Sequence, residues 1–459
     1  MSETNSRFRP TQLLASRLFS EYGMLVVLVL LCLLFSLLTI REQHPSGKEA
    51  ADALFRQLSV PDNRQRAIVI AARADSQDSL FTSTLRAQLI SEGFSEVEVV
   101  QGDPQFLRET LTQRMNSSAR IDIVAVTQAC APIVQTIIAQ IPALQSAEVV
   151  TPQSRRWPTF LLVDNLRNVA NQITVIAIIA IGMTLVIITA GIDLSVGSLI
   201  ALSAVVAAWL IGELGGESAT TGMMLLGSVG GILVCGATGA FSGLMITRFR
   251  IPPFIATLAM MQVAAGVAYI ISQGKPIYRI PDGFILLGRG TDPLLHIPYA
   301  VILMFVLYAV AHVLMSQTTM GRYIYAVGGN SEAARLAGIR VRWVIFAVYT
   351  VCGLLAGLGG VIMASQLKSG APTYGLSYEL YVIAAVVVGG TSLMGGQGRI
   401  LGTLIGALVI GVVQNGMNLT NVETYTQKVV LGLIILGAVL LDRFKQQGFR
   451  WKRQRPLTS

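Results

Sequence analysis

The sequence predicts an α-helical polytopic membrane protein of about ten transmembrane helices, with a soluble α/β domain inserted after the first. Three observations carry that prediction. Of 459 residues, 53% are hydrophobic and only 13% are charged, where an ordinary soluble chain has roughly 25% charged. The apolar residues lie in runs long enough to cross a bilayer. Residues 42–158 break the pattern, with 11 Lys or Arg against 13 Asp or Glu, a net of −2, and no long apolar run.

The first apolar run, residues 24–40, follows Arg7, Arg9 and Arg17. It is followed by Arg41, Glu42, Gln43 and His44 rather than by a small-residue cleavage site, so it reads as a retained span with a cytoplasmic N-terminus. Later spans are expected at about 173–190, 192–213, 222–247, 252–272, 298–316, 343–366, 380–395, 400–418 and 428–441. Positive charges test the alternation, since cytoplasmic loops are enriched in Lys and Arg. Arg248 and Arg250, then Arg322, Arg335, Arg340 and Arg342, then Arg399 all fall in loops that an even count places in the cytoplasm. The implied organisation is 1–41 as cytoplasmic N-terminus and first span, 42–158 as an extracytoplasmic insertion, 159–447 as the membrane domain, and 448–459 as a basic cytoplasmic tail.

The net charge of +9 does not point to nucleic acid. Arg443, Lys445, Arg450, Lys452, Arg453 and Arg455 crowd the end of the chain, where they read as topology signals facing anionic membrane lipid. Cys32, Cys130, Cys235 and Cys352 are widely spaced, as are His44, His296 and His312. Neither a disulfide framework nor a metal site is expected, and no cofactor is implied.

Within the insertion, short apolar strands at 67–72, 97–100, 121–126 and 148–151 alternate with helical stretches at 78–91, 104–117 and 131–142. Such alternation predicts a parallel sheet. Ligands of these sheets bind beyond the carboxyl ends of the strands, which nominates Arg73, Asp75, Gln77 and Asp78 after the first strand and Gln128 after the third. Solvated loops are polar too, and that reading also fits. The strand and helix order loosely resembles the first lobe of a periplasmic sugar-binding protein, without a second lobe.

Two Gly-rich breaks interrupt the apolar runs. Gly191-Ile192-Asp193-Leu194-Ser195-Val196-Gly197-Ser198 places a carboxylate between two spans, a functional candidate because an unpaired charge there is costly. Capping of the following helix explains Asp193 equally well. In the other half, Gly389, Gly390, Gly395 and Gly396 mark a second interruption, and paired interruptions suggest a repeat around a midplane pathway; simple bending is the alternative. Gly227 with Gly231, Gly239 with Gly243, Gly353 with Gly357 and Gly402 with Gly406 have the spacing of close helix packing. Gln262, Gln414 and Asn415 offer polar groups to a solute or to another helix.

A third motif, Asn330-Ser331-Glu332-Ala333-Ala334-Arg335-Leu336-Ala337-Gly338-Ile339, has a cap at Asn330, an acid in the first turn and a glycine stop at Gly338. It predicts a short helix of about 10 Å between two spans, on the cytoplasmic side. Together with Ala180-Ile181-Gly182-Met183-Thr184-Leu185-Val186, Arg250-Ile251-Pro252-Pro253-Phe254-Ile255-Ala256-Thr257-Leu258 and Val388-Gly389-Gly390-Thr391-Ser392-Leu393-Met394-Gly395-Gly396, these motifs resemble, over about 160–447, the ribose-type permease family of ATP-binding-cassette importers. The resemblance implies transport of a sugar or similar solute in the inner membrane, ATPase subunits as partners, an extracytoplasmic solute-binding protein, and a second permease copy or related permease. It makes residues 330–339 the coupling helix. The 42–158 insertion departs from the family, which has a short connection there. Without a Gly-x-x-x-x-Gly-Lys-Ser/Thr segment, ATP chemistry falls to another chain. Alternatives are an ion-coupled carrier, which usually places several ionisable groups in its spans where this chain has almost only Asp193, with Glu379 at an edge, and a membrane sensor reading a ligand through the outer domain.

Overall fold

The computed structural model describes residues 10–60, 63–116 and 120–447, with the side chains of residues 23–440 among them. The arginines before residue 22 and the basic cluster from Arg443 onward lie outside the described side chains. The chain divides into two compact units, Thr39–Thr159 and the remainder. The remainder begins with α1 (Pro10–Leu38).

The 39–159 unit contains β1 (Ile40–Gln43), α2 (Gly47–Leu58), β2 (Ile68–Ala72), α3 (Ser76–Ser91), β3 (Val97–Gln101), α4 (Pro104–Asn116), β4 (Ile123–Val126), α5 (Ala131–Gln140), β5 (Glu148–Val150) and β6 (Arg155–Pro158). Four strands form a parallel sheet in the order β3-β2-β4-β5. Side chains alternate across a strand, so Ile68 and Ile70 pack with Leu54, Phe81 and Leu85 on one face. Val69 and Ala71 pack with Leu107, Leu111 and Val134 on the other. Helices on both faces are what a parallel sheet of near-continuous apolar strands requires. Asp103 Oδ1 accepts from the Phe106 N–H at 2.7 Å and Pro104 opens α4, a cap followed by a residue that needs no donor. The entry and exit strands β1 and β6 pair antiparallel.

The larger unit continues with α6 (Val163–Ile188), α7 (Val196–Leu214), α8 (Thr221–Arg248), α9 (Pro253–Ser272), α10 (Leu286–Arg289), α11 (Tyr299–Gln317), α12 (Thr319–Gly329), α13 (Ser331–Leu336), α14 (Val341–Leu367), α15 (Tyr378–Val388), α16 (Ile400–Leu419) and α17 (Thr424–Gln447). Seven of these, α6, α7, α8, α9, α11, α14 and α16, are long and apolar enough to cross a membrane. Shorter apolar stretches occur at Gly23–Leu38, Tyr378–Val388 and Thr424–Leu440. Several expected spans are corrected at their ends, and the one expected over 173–190 already begins at Val163. The helix expected over 192–213 starts only at Val196, after Ala190 adopts φ 61°. The one expected over 380–395 stops at Val388, because Gly390 turns left-handed at φ 89° and Gly395 and Gly396 follow.

Glycine lets the central helices touch backbone to backbone. A Cβ at Gly353 of α14 would sit 3.1 Å from the Cα of Gly239 on α8, and one at Gly231 would sit 2.7 Å from the Ser203 carbonyl on α7. These pairs are packing surfaces of the small-residue kind. α1 is fixed to α16 by Phe35, which lies against Gly416 and stands 6.3 Å from the Phe160 ring. Asn415 does not face open space: it exchanges two amide hydrogen bonds with Asn165 of α6, at 2.9 and 3.1 Å.

Candidate functional site

The site is built where three chain interruptions meet. α6 ends at Ile188, and the chain turns back through Ala190 so that Asp193 is fully buried. Asp193 Oδ1 accepts from the Ser195 N–H at 2.9 Å and from the Ser195 hydroxyl at 2.6 Å. This local turn satisfies backbone just before α7, so capping is part of the answer. Its other oxygen, Oδ2, is buried without a hydrogen-bond partner. The Cys352 thiol of α14 lies within hydrogen-bonding reach of the carboxylate, and the Tyr349 hydroxyl of the same helix neighbours it. Cys352 is about 16 Å along α14 from Val341, so the carboxylate sits well inside the bundle.

Thr257 of α9 braces the same segment. Its hydroxyl accepts from the Leu194 N–H at 3.2 Å and lies 3.3 Å from the Ile192 carbonyl. The Arg250 to Leu258 motif does not by itself reveal this role. Its signal was a lone hydroxyl in an otherwise apolar run. Gly191 packs against the Tyr349 hydroxyl and Gly197 against the Glu379 carboxylate and Gly375 carbonyl. Glu379 thus lies beside the first turn of α7, where the positive end of the helix dipole favours an anion.

The second break follows α15. The Gly396 N–H donates to the Ile188 carbonyl at 2.8 Å, which joins the two interruptions directly. Gly389 packs on Gly402 of α16, while the Thr391 hydroxyl is buried with no partner. The Tyr325 hydroxyl of α12 donates to the Gly398 carbonyl at 2.7 Å.

Gly328, at the end of α12, completes the junction. A Cβ there would run into the Ile188 carbonyl and stand 2.7 Å from the Gly396 nitrogen. Two residues later Asn330 Oδ1 accepts from the Ala333 N–H at 3.0 Å and starts α13. Glu332 and Arg335 pair at 2.8 Å, Ala334 is buried, and Gly338 at φ 84° ends the turn. Ser331, Glu332 and Ala333 are exposed, and Leu336 is 82% exposed. A six-residue helix therefore presents an accessible edge at one end of the bundle, one residue beyond a glycine pair that touches both breaks.

In the 39–159 unit, Arg73, Asp75, Gln77, Asp78 and Gln128 line a single pocket of about 390 Å³ with Thr127. Among the described residues no cluster of His, Cys, Asp and Glu suits a metal ion.

A family model described as "Branched-chain amino acid transport system / permease component" matches residues 165–439. Among curated proteins, the chain is 46% identical over 294 residues to the ribose import permease protein of Escherichia coli strain K12, covering 63% of this chain and 88% of that one. It is 46% identical over 290 residues to the ribose import permease protein of Bacillus subtilis, covering 63% and 87%. It is 40% identical over 289 residues to the L-arabinose ABC transporter permease protein of Azospirillum brasilense, covering 63% and 83%. No solved structure matches the chain. The match runs through both breaks and the α13 motif and covers more than half of the sequence, and the chain belongs to the branched-chain amino acid transport system / permease component family.

Proposed function

We propose that the chain is the membrane-spanning permease subunit of an ATP-driven importer for a sugar or similar polar solute, working by alternating access. The observation that carries the reading is the 46% identity to a ribose import permease over 88% of that protein. ATP hydrolysis belongs to separate ATPase subunits, since the sequence has no phosphate-binding Gly-x-x-x-x-Gly-Lys-Ser/Thr segment. An extracytoplasmic solute-binding protein and a second permease, identical or related, complete the assembly.

Ten crossings follow if the three shorter apolar helices join the seven long ones. α15, with 11 residues, spans only about 16 Å, so the irregular 389–399 stretch supplies the rest of that crossing, inside protein where its backbone groups find partners. Both termini are then cytoplasmic, in the inner membrane, and the 42–158 domain is extracytoplasmic. α13 is the coupling helix. Force on its exposed edge passes through Gly328 to Ile188 and Gly396, and so to the starts of α7 and α16, with Asp193, Ser195 and Gly197 along the path. Deleting residues 332–338 should abolish co-purification of the ATPase while membrane insertion is kept; co-purification that survives the deletion would sink the coupling assignment.

A further inference from the structure

We propose that the pocket at the carboxyl ends of β2 and β4 binds a small neutral polyhydroxy solute. The sheet order β3-β2-β4-β5 reverses direction between β2 and β4, and such a switch point opens a crevice that the fold itself creates. The pocket measures about 390 Å³, near the small end of ligand cavities.

Its charges are already used. Arg73 pairs with Asp75 at 3.2 Å and with Asp78 at 3.3 Å, and Asp75 also caps α3 by accepting from the Asp78 N–H at 2.8 Å. Asp78 is buried and takes the Arg73 N–H as well. Two carboxylates against the one guanidinium leave no unpaired Arg or Lys in the lining for phosphate or a carboxylate, although the start of α3 faces the space. What remains is His44, Ser46, Ser76, Gln77, Thr127 and Gln128, an imidazole alongside hydroxyls and amides that both donate and accept. Sugar-like hydroxyls, which also do both, match that set.

Thr127 supplies the independent observation. It is 4% exposed, lines the pocket, and its hydroxyl is buried with no hydrogen-bond partner. Buried polar groups are normally satisfied, so a ligand hydroxyl is the missing partner. The inference stands apart from the transport reading, since it concerns a site in the 39–159 unit.

The full chain in lipid nanodiscs, without ATPase, can be titrated with D-ribose, L-arabinose, D-allose and glycerol, with inorganic phosphate as the anionic probe, while hydrogen exchange is followed over residues 73–79 and 127–131. One of the neutral solutes should slow exchange saturably in both segments, and Gln128→Ala and Thr127→Val should each weaken it by about tenfold, equivalent to about 1.4 kcal/mol. Gln128 is exposed, so its replacement leaves the fold intact even if the Thr127 variant does not fold. Protection by phosphate alone, no protection by any polyol, or unchanged affinity in Gln128→Ala would overturn the proposal. None of these results bears on whether the permease couples to an ATPase.

Discussion

The backbone N–H of Gly396 donates to the carbonyl of Ile188 at 2.8 Å, so the two helix breaks form one junction. Gly328 sits against that same hydrogen bond, and both of its neighbours there are backbone atoms that cannot swing aside. A side chain at 328 must therefore push the breaks apart. Gly328→Ala should reduce solute uptake at least tenfold at equal expression, with an overpacking cost of about 1–3 kcal/mol. Gly329→Ala, where a Cβ meets nothing within 4 Å, should transport like the parent. Equal uptake by the two variants would remove the junction from the mechanism.

Helix α13 depends on its first hydrogen bond. Asn330→Ala removes the acceptor of the Ala333 N–H, a loss of about 0.5–2 kcal/mol, while Asn330→Asp keeps it. ATPase binding measured by pull-down should weaken in the first variant and recover in the second. Loss in both would assign the effect to the amide itself rather than to capping.

The amide pair of Asn165 and Asn415 ties α6 to α16. Interhelical polar contacts in membranes contribute about 0.6–2 kcal/mol. Each single Leu replacement strands one amide, so the double replacement should cost less than the sum of the singles. Thermal unfolding in detergent measures this, and strict additivity would show that the pair contributes no coupling.

Asp122 gives the 39–159 unit a pH dependence. Burial raises its carboxyl, but the Ala67 N–H at 2.9 Å and Arg120 at 2.8 Å, with Arg66 nearby, more than offset that and hold it below its ordinary value of 3.8. A lowered carboxyl stabilises the fold above its unfolded value and loses that contribution as pH falls through the folded one. Hydrogen exchange over 121–126 should therefore become faster, relative to the intrinsic rate, as pH drops below about 4. Asp122→Asn should show weaker protection already at neutral pH and no such acid step.

Much of this was legible in the sequence because periodicity and caps are local. The strands read at 67–72 and 97–100 lie at Ile68–Ala72 and Val97–Gln101, and Asp103 with Pro104 opens α4 as expected. The strands β1 and β6 escaped notice because Ile40–Gln43 and Arg155–Pro158 are short and mostly charged or polar, and only their pairing defines them. Helix α2 was missed for a related reason: its Ala50, Ala51, Leu54 and Leu58 stripe is small and sits among charges. The breaks were visible as glycine clusters, but their contact is long-range, and no spacing rule brings Ile188 to Gly396 or Glu379 to Gly197. Thr257 carried no signal beyond its hydroxyl.

The most direct measurement is uptake of radiolabelled ribose, arabinose or allose by proteoliposomes holding this chain, with and without its partner ATPase and binding protein. The expected result is uptake that requires the ATPase and ATP and is abolished by deleting residues 332–338. Uptake by the chain alone, driven by a proton or sodium gradient, would contradict it.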